Sequence, residues 1–366
     1  MEFKRAISAL LTALSLVLSG CGRVWAETRP IRELRIIETV GCDLSPEGVT
    51  LSVCASKPAL KQSQAAPSFR LAMDRLRDKA ASPALFFAHT RYLLAGEALA
   101  RADLAPVLDL AARSADMRLK TPLFVLTGAS AAEAVQLGAE DRDVTQMLAA
   151  LQADMAQQGT SHAFTCGEIL LALSERGAAL AAACAMEDGA LARAGYAILK
   201  GNRCVGQIGA PEDQAVALLR SLGGHGDVRL GNETVTISSC KAAYRPRWDG
   251  GALAGLDVSL EMTASLTETD GTPGAAGAAA RRRLEKDLAD AVCRWSRALI
   301  SRGQALQADF LDLRGAVASA APMRWAAIRG DWDALFPTLP VTVTAEAKID
   351  RTLDLQQPIE PNGGAR

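Results

Sequence analysis

Two stretches near the end of the chain alternate apolar and polar residues strictly. From Leu256 to Leu266 every even position is apolar, with Asp257, Ser259, Glu261, Thr263 and Ser265 between. Val341, Val343, Ala345, Ala347 and Ile349 repeat the pattern against Thr342, Thr344, Glu346 and Lys348. A period of two predicts half-buried strands with one wet face, which favours antiparallel pairing. Between them a loop, Thr269 to Gly277, leads into a helical period reaching Leu306. Leu284, Leu288, Val292, Trp295, Leu299 and Leu306 make its apolar stripe and the charges lie opposite. One long helix covering a one-sided sheet is an α+β arrangement.

The earlier chain carries shorter signals. Leu34–Asp43 and Val49–Ser56 flank Ser45-Pro46-Glu47-Gly48 and predict a hairpin. Pro58–Ser68 reads as a loop, followed by a helix to Ala80. Leu85–Ala95 reads as one buried strand, Ala98–Ala112 as a helix, Pro122–Thr127 as a strand and Ala129–Leu137 as a helix, a local βαβ order. Val144–Ala156 and Cys166–Ser174 are expected as helices. Ala178–Met186 and Arg193–Lys200 are expected as a strand pair joined by Glu187-Asp188-Gly189, with Asn202–Ile208 as a third strand. Pro211–Leu222 reads as a helix opened by proline, and Gly223–Gly231 as a loop. The sum is an α+β body of mixed and antiparallel sheets with packed helices, in two or three modules. The expected division is an N-terminal domain over 31–200, a C-terminal sheet-plus-helix domain over 201–358, and a tail at 359–366.

The start of the chain follows a different logic. Lys4-Arg5 precedes an uncharged run, Ala6 to Leu18, of 13 residues; a spanning helix needs about 20, so the run reads as a secretory signal. Leu18-Ser19-Gly20-Cys21 then resembles a bacterial lipobox, in which the Cys becomes the lipid-bearing N-terminus. An ordinary cut after Ala26 is the competing reading, because Val24-Trp25-Ala26 also carries small residues at two places. The lipobox is preferred because it abuts the apolar run, whereas the other site lies beyond Arg23. Residues 1–21 are thus a signal peptide with lipobox, 22–30 a spacer, and Cys21 the lipid attachment.

The chain has 366 residues and a formal net charge of −1. That length favours more than one domain, and the balance of charge gives no long-range attraction for nucleic acid. Beyond Cys21 seven cysteines remain, Cys42, Cys54, Cys166, Cys184, Cys204, Cys240 and Cys293. Their spacing forms no metal cluster, and buried free thiols are the favoured reading over disulfides. His89, His162 and His225 are too scattered for a zinc site. Neither GxSxG nor HExxH occurs, Gly223-Gly224-His225-Gly226 lacks the phosphate-loop pattern, and Ser161-His162 are neighbours in sequence only. Arg281-Arg282-Arg283 reads as a solvated helix face. No catalytic, cofactor-binding or metal residue is assigned, although Glu97 and Asp309 remain a carboxylate pair that folding could bring together.

Trp325, Trp332 and Phe336, ahead of Pro337, form the heaviest aromatic cluster of an aromatic-poor chain and read as core rather than recognition surface. With Asp309-Phe310, Gly315, Pro322 and Asp331 they resemble the C-terminal half of the Ger(x)C family, the lipoprotein C subunits of bacterial spore nutrient germinant receptors. Ala194-Gly195-Tyr196-Ala197 and Val205-Gly206 resemble its mid-chain. His89, Gly96-Glu97-Ala98-Leu99-Ala100, and Leu108-Asp109 to Arg113 and Arg118 resemble its N-terminal half, and Arg32-Glu33-Leu34 with Gly41-Cys42-Asp43 its opening. The sequence departs from the family pattern where Gly22-Arg23-Val24 separates Cys21 from Trp25, and where Cys42 replaces an aliphatic residue.

The resemblance implies an α+β body held by its lipid on the outer face of the cell or spore inner membrane. It further implies assembly with two polytopic membrane subunits, no cofactor and no catalytic activity. The candidate partner interface is His89, Glu97 and Arg101; Trp325, Trp332, Phe336 and Pro337 are the structural motif. The alternative from another class is a lipid-anchored solute-binding protein of a transporter, for which two similar α/β lobes are expected.

Overall fold

The computed structural model describes residues 34–56, 59–79, 84–138, 142–159, 162–222, 225–269 and 278–351. Three sheets organise them. A short parallel pair joins β1 (Leu34–Ile36) to β5 (Ala84–Phe86). An eight-stranded mixed sheet contains β2 (Thr39–Ser45), β3 (Gly48–Ser56), β4 (Ala59–Ala66), β6 (Tyr92–Gly96), β7 (Leu123–Thr127), β8 (Ala178–Glu187), β9 (Ala190–Lys200) and β10 (Arg203–Ile208). Its order is β10-β9-β8-β7-β6-β2-β3-β4. The third sheet runs β11 (Gly226–Leu230), β12 (Glu233–Asp249), β13 (Ala252–Glu268) and β14 (Val341–Arg351).

In the large sheet β2, β6, β7 and β8 are parallel, and both flanks are antiparallel hairpins. The parallel strands are apolar runs because helices cover both faces. Leu93, Ala95, Leu123 and Val125 turn to one face, against α1 (Phe69–Lys79), α3 (Ala105–Arg113) and α6 (Cys166–Arg176). Tyr92, Leu94, Phe124 and Leu126 turn to the other, against α4 (Ala131–Gln136) and α5 (Val144–Gln158). The short α2 (Glu97–Ala102) leaves directly from the end of β6.

The C-terminal alternation is realised in β13, where Leu256, Val258, Leu260, Met262, Ala264 and Leu266 are buried. They face α8 (Ala278–Leu306), whose Leu284, Leu288, Val292 and Leu299 are buried while Trp295 and Leu306 are half-buried. Helix α7 (Glu212–Leu219) lies between the two larger sheets in sequence, and α9 (Leu313–Ala320), α10 (Pro322–Ile328) and α11 (Trp332–Leu335) follow α8. The whole is α+β, and both larger sheets combine parallel with antiparallel pairs. Arg281, Arg282 and Arg283 are exposed on α8, and Arg283 pairs with Glu233.

Several expectations are corrected. The loop expected over Pro58–Ser68 contains β4, an edge strand whose sequence ALKQSQAA has no β-branched residue; its pairing with β3 decides it, not propensity. The single strand expected over Leu85–Ala95 is two, because the N–H and Oγ1 of Thr90 both donate to the Phe87 carbonyl (2.9 and 2.7 Å) and turn the chain. The helix over Ala98–Ala112 divides at Asp103-Leu104, where the Asp103 carboxylate accepts the Ala105 N–H (2.9 Å) ahead of Pro106. Within Gly223–Gly231, residues 226–230 form β11; Gly223 and Gly224 lie outside the described residues.

Strand β12 was not anticipated. A register shift between Ile237 and Ser239 breaks its alternation, and Pro246 lies within it. Finally, β13 and β14 pair in parallel. Alternation favours antiparallel pairing, but the α8 crossover carries the chain back to the end at which β13 started, so the pair is parallel.

Cys42, Cys54, Cys166, Cys184 and Cys204 are buried thiols, Cys240 and Cys293 are half-buried, and all seven are free. Burial pushes Cys54, Cys166 and Cys184 up to about 12, which removes thiolate reactivity near neutral pH.

Candidate functional site

The C-terminal ends of β2, β6 and β7 meet at a cleft of about 440 Å³ lined by Asp43, Glu97, Arg101, Gly128 and Ser130 among others. Two glycines make the approach possible. A Cβ on Gly96 would lie 2.1 Å from Asp43 Oδ1, and one on Gly41 would lie 3.1 Å from the Ala131 Cβ. With both absent, α4 settles onto the strand ends and Asp43 accepts the N–H groups of Ala131 and Ala132, each at 2.8 Å. Burial raises the Asp43 carboxyl, and the two N–H groups oppose it. Ser130 and Glu133 complete a capping box on the same helix.

Glu97 is the first residue of α2. Its Oε2 accepts the Gly128 N–H (2.7 Å) at the turn after β7, and its Oε1 accepts Arg101 Nε at 2.8 Å. The Gly128 N–H first, then Arg101, hold this carboxyl below its ordinary value. Glu97 thus clamps two adjacent βα turns together. His89 is elsewhere: it lies before β6, at the opposite end of the strand, exposed, with its ring 5.4 Å from that of Phe86. The three candidate interface residues therefore divide into an ion pair at one end of the sheet and a histidine at the other.

Asp309 does not join Glu97. It is buried beyond α8 and accepts the N–H groups of Leu313 and Arg314, both at 2.8 Å, at the start of α9. Burial pushes its carboxyl up to about 6 despite those two N–H groups. The αL backbone of Asp312 (φ 64°) lets its own side chain accept the Gly315 N–H (3.2 Å), and a Cβ at Gly315 would come within 2.7 Å of that carboxylate. Asp309 and Gly315 are accordingly helix-start residues.

The aromatic motif is core. Trp325 meets Trp332 edge-on at 5.4 Å, and Trp332 stacks with Phe336 at 5.8 Å. Trp332 and Phe336 are buried, Trp325 and Pro337 half-buried. Gly303 of α8 opens the space they fill, since a Cβ there would stand 3.4 Å from both Phe310 and Phe336. Gln304 Nε2 donates to the carbonyls of Phe336 (3.0 Å) and Leu339 (2.7 Å), fixing the segment to α8. Neither Gly303 nor Gln304 carries a sequence signal apart from lying on the helix.

His162 pairs with Glu168 (3.2 Å) rather than serving a nucleophile; Ser161 and Cys21 lie outside the described residues. Among the described residues no three His, Cys, Asp or Glu side chains are grouped to hold a metal ion, and no helix is long and apolar enough to cross a membrane.

Two family descriptions match the chain in order. "Spore germination protein N-terminal domain" matches residues 27–185, and "Spore germination B3/ GerAC like, C-terminal" matches residues 194–353. No curated protein matches. Among solved structures the chain is similar to one titled "Crystal Structure of the GerBC protein", with 18% identity and a TM-score of 0.59, covering 85% of this chain and 96% of that one. At that identity the likeness is one of fold. With both germination domains present in sequence and the fold shared, this chain belongs to the Ger(x)C family of spore germination proteins.

Proposed function

We propose that this protein is the lipid-anchored, non-enzymatic subunit of a nutrient germinant receptor, carried on the outer face of the membrane by Cys21 and assembled with two polytopic subunits. The observation that carries the reading is the ordered pair of germination domains filling residues 27–353, beginning six residues after the lipobox cysteine. The geometry agrees in kind. The carboxylates with chemical promise are spent on backbone: Asp43 on α4, Glu97 on Gly128, Asp309 on α9. In this reading the body transmits or scaffolds. The solute-binding alternative calls for two similar α/β lobes, whereas a large mixed sheet is here joined to a four-stranded sheet under one helix.

Membrane fractionation tests the anchor: Cys21→Ala releases the body, and mass spectrometry finds lipid on Cys21. An unmodified N-terminus at Glu27 contradicts it. Co-purification of two polytopic proteins with the tagged chain tests the assembly, and their absence under conditions that retain the anchor contradicts it.

A further inference from the structure

The end of the large sheet where β2, β6, β7 and β8 begin differs in chemistry from the end where they stop. Arg118-Leu119-Lys120 forms the turn into β7, closed by the Thr121 N–H on the Arg118 carbonyl (3.0 Å), and His89-Thr90-Arg91 precedes β6. Helix α6 runs along the same end. The Cys166 N–H donates to Thr121 O (2.9 Å) and the Gly167 N–H to Leu119 O (2.8 Å), and the helix finishes where β8 starts. Gly167 rests on Leu119, and Leu171, one turn further on, shares that side.

Leu119 is 47% exposed and Leu171 58% exposed, two of the largest apolar exposures among the described residues. Arg118 and Lys120 are exposed and have no ion-pair partner among the described residues. Of the carboxylates nearby, Glu38 is engaged by Arg91 (3.7 Å), Asp116 by Arg77 (2.8 Å), and Glu168 by its own helix start and His162, while Asp78 at the end of α1 is exposed beside Lys79. Glu175 is the exposed carboxylate left on α6. The opposite end is acidic on balance, with Asp43, Glu47, Glu97, Glu133, Glu187 and Asp188 around the strand exits, of which Glu47 and Glu97 pair with Arg75 and Arg101.

We infer that the basic end docks on an anionic lipid surface, with Leu119 and Leu171 entering the headgroup layer and Arg118 and Lys120 meeting phosphate. This rests on the lipid-anchor reading above. Twelve residues, Gly22 to Glu33, separate Cys21 from β1, and fully extended they reach roughly 40 Å. β1 leads into the first residue of β2, so the tether joins the body at this same end. An apolar side chain between two unpaired cations suits the interface, where the stem enters the acyl boundary and the charges stay with the headgroups.

The test uses the lipidated full chain in vesicles of phosphatidylcholine with and without phosphatidylglycerol. A fluorophore is placed by Leu119→Cys, or by Leu44→Cys at the acidic end where Leu44 is 45% exposed, with Cys240 and Cys293 replaced by Ala. Brominated lipid is expected to quench position 119, and aqueous iodide to reach it several-fold less well than position 44. The difference should require phosphatidylglycerol, fade at high salt, and vanish in Arg118→Glu/Lys120→Glu. Equal iodide access at both positions while the chain stays vesicle-bound overturns the docking, as does shielding that appears only when the polytopic subunits are present. An unmodified N-terminus overturns the anchor instead. Docking is then decided separately, by whether added phosphatidylglycerol vesicles shield position 119.

Discussion

Trp332 stacks on Phe336 with ring centroids 5.8 Å apart and planes 20° from parallel. Phe336 closes the space left by Gly303 on α8 and Trp332, itself buried, backs it, so loss of the Trp332 ring opens a cavity against Phe336. Trp332→Ala is expected to cost about 3–5 kcal/mol, measured by urea unfolding. Trp332→Phe should recover a large part of it. A Trp332→Ala protein with unchanged unfolding and lost assembly would turn the cluster from core into interface.

Asp309 links stability to pH. Its carboxyl is raised to about 6 in the fold against about 3.9 in an unfolded chain. Its contribution is therefore complete below the unfolded value and is lost as pH rises through about 6, a loss of at most roughly 3 kcal/mol. Asp309→Asn, which cannot ionise, should flatten that fall across the window from about 4 to 6. Stability that instead climbs through the window, and does so through Asp309, would mean that the two N–H groups of Leu313 and Arg314 outweigh burial.

Arg193 of β9 and Asp213 of α7 form an ion pair at 2.7 Å with the Asp213 side chain 1% exposed. Removing only the cation strands a buried carboxylate, so Arg193→Ala should destabilise by about 3–5 kcal/mol. The double variant Arg193→Met/Asp213→Leu should be markedly more stable than Arg193→Ala alone. Equal instability of the two variants would show that packing, not the stranded charge, carries the effect.

Glu97 is clamped to Gly128, and its carboxyl is held low by that N–H first and by Arg101 second. A lowered carboxyl stabilises above the unfolded range near 4.3 and loses that contribution as pH falls through its folded value. Because the side chain is partly in water, Glu97→Gln should cost under about 1 kcal/mol near neutral pH. Normal co-purification of the proposed membrane subunits would identify Glu97 as a turn clamp. Lost co-purification with unchanged melting would place it in the interface.

The parts legible in the sequence were those in which local pattern and tertiary role coincide. β13 and β14 declare themselves by period two, α8 by its leucine stripe, and the Trp332 cluster by ring size in a chain with 4% aromatics. What escaped depends on partners distant in sequence. β4 exists because β3 pairs with it, and β12 hides behind its register shift. Asp43 finds its two N–H partners 88 and 89 residues away, so nothing beside Gly41-Cys42-Asp43 announces that the acid caps a later helix. Glu97 and His89 stood together as motif residues, yet a strand's length separates them, because β6 runs between.

Nutrient-triggered germination of spores lacking this chain tests the central claim most directly. Deletion is expected to abolish the response to one set of nutrients while sparing others, and Cys21→Ala should reproduce the defect by releasing the body from the membrane. Spores that respond to every nutrient at the wild-type rate without the chain would contradict the assignment to a germinant receptor.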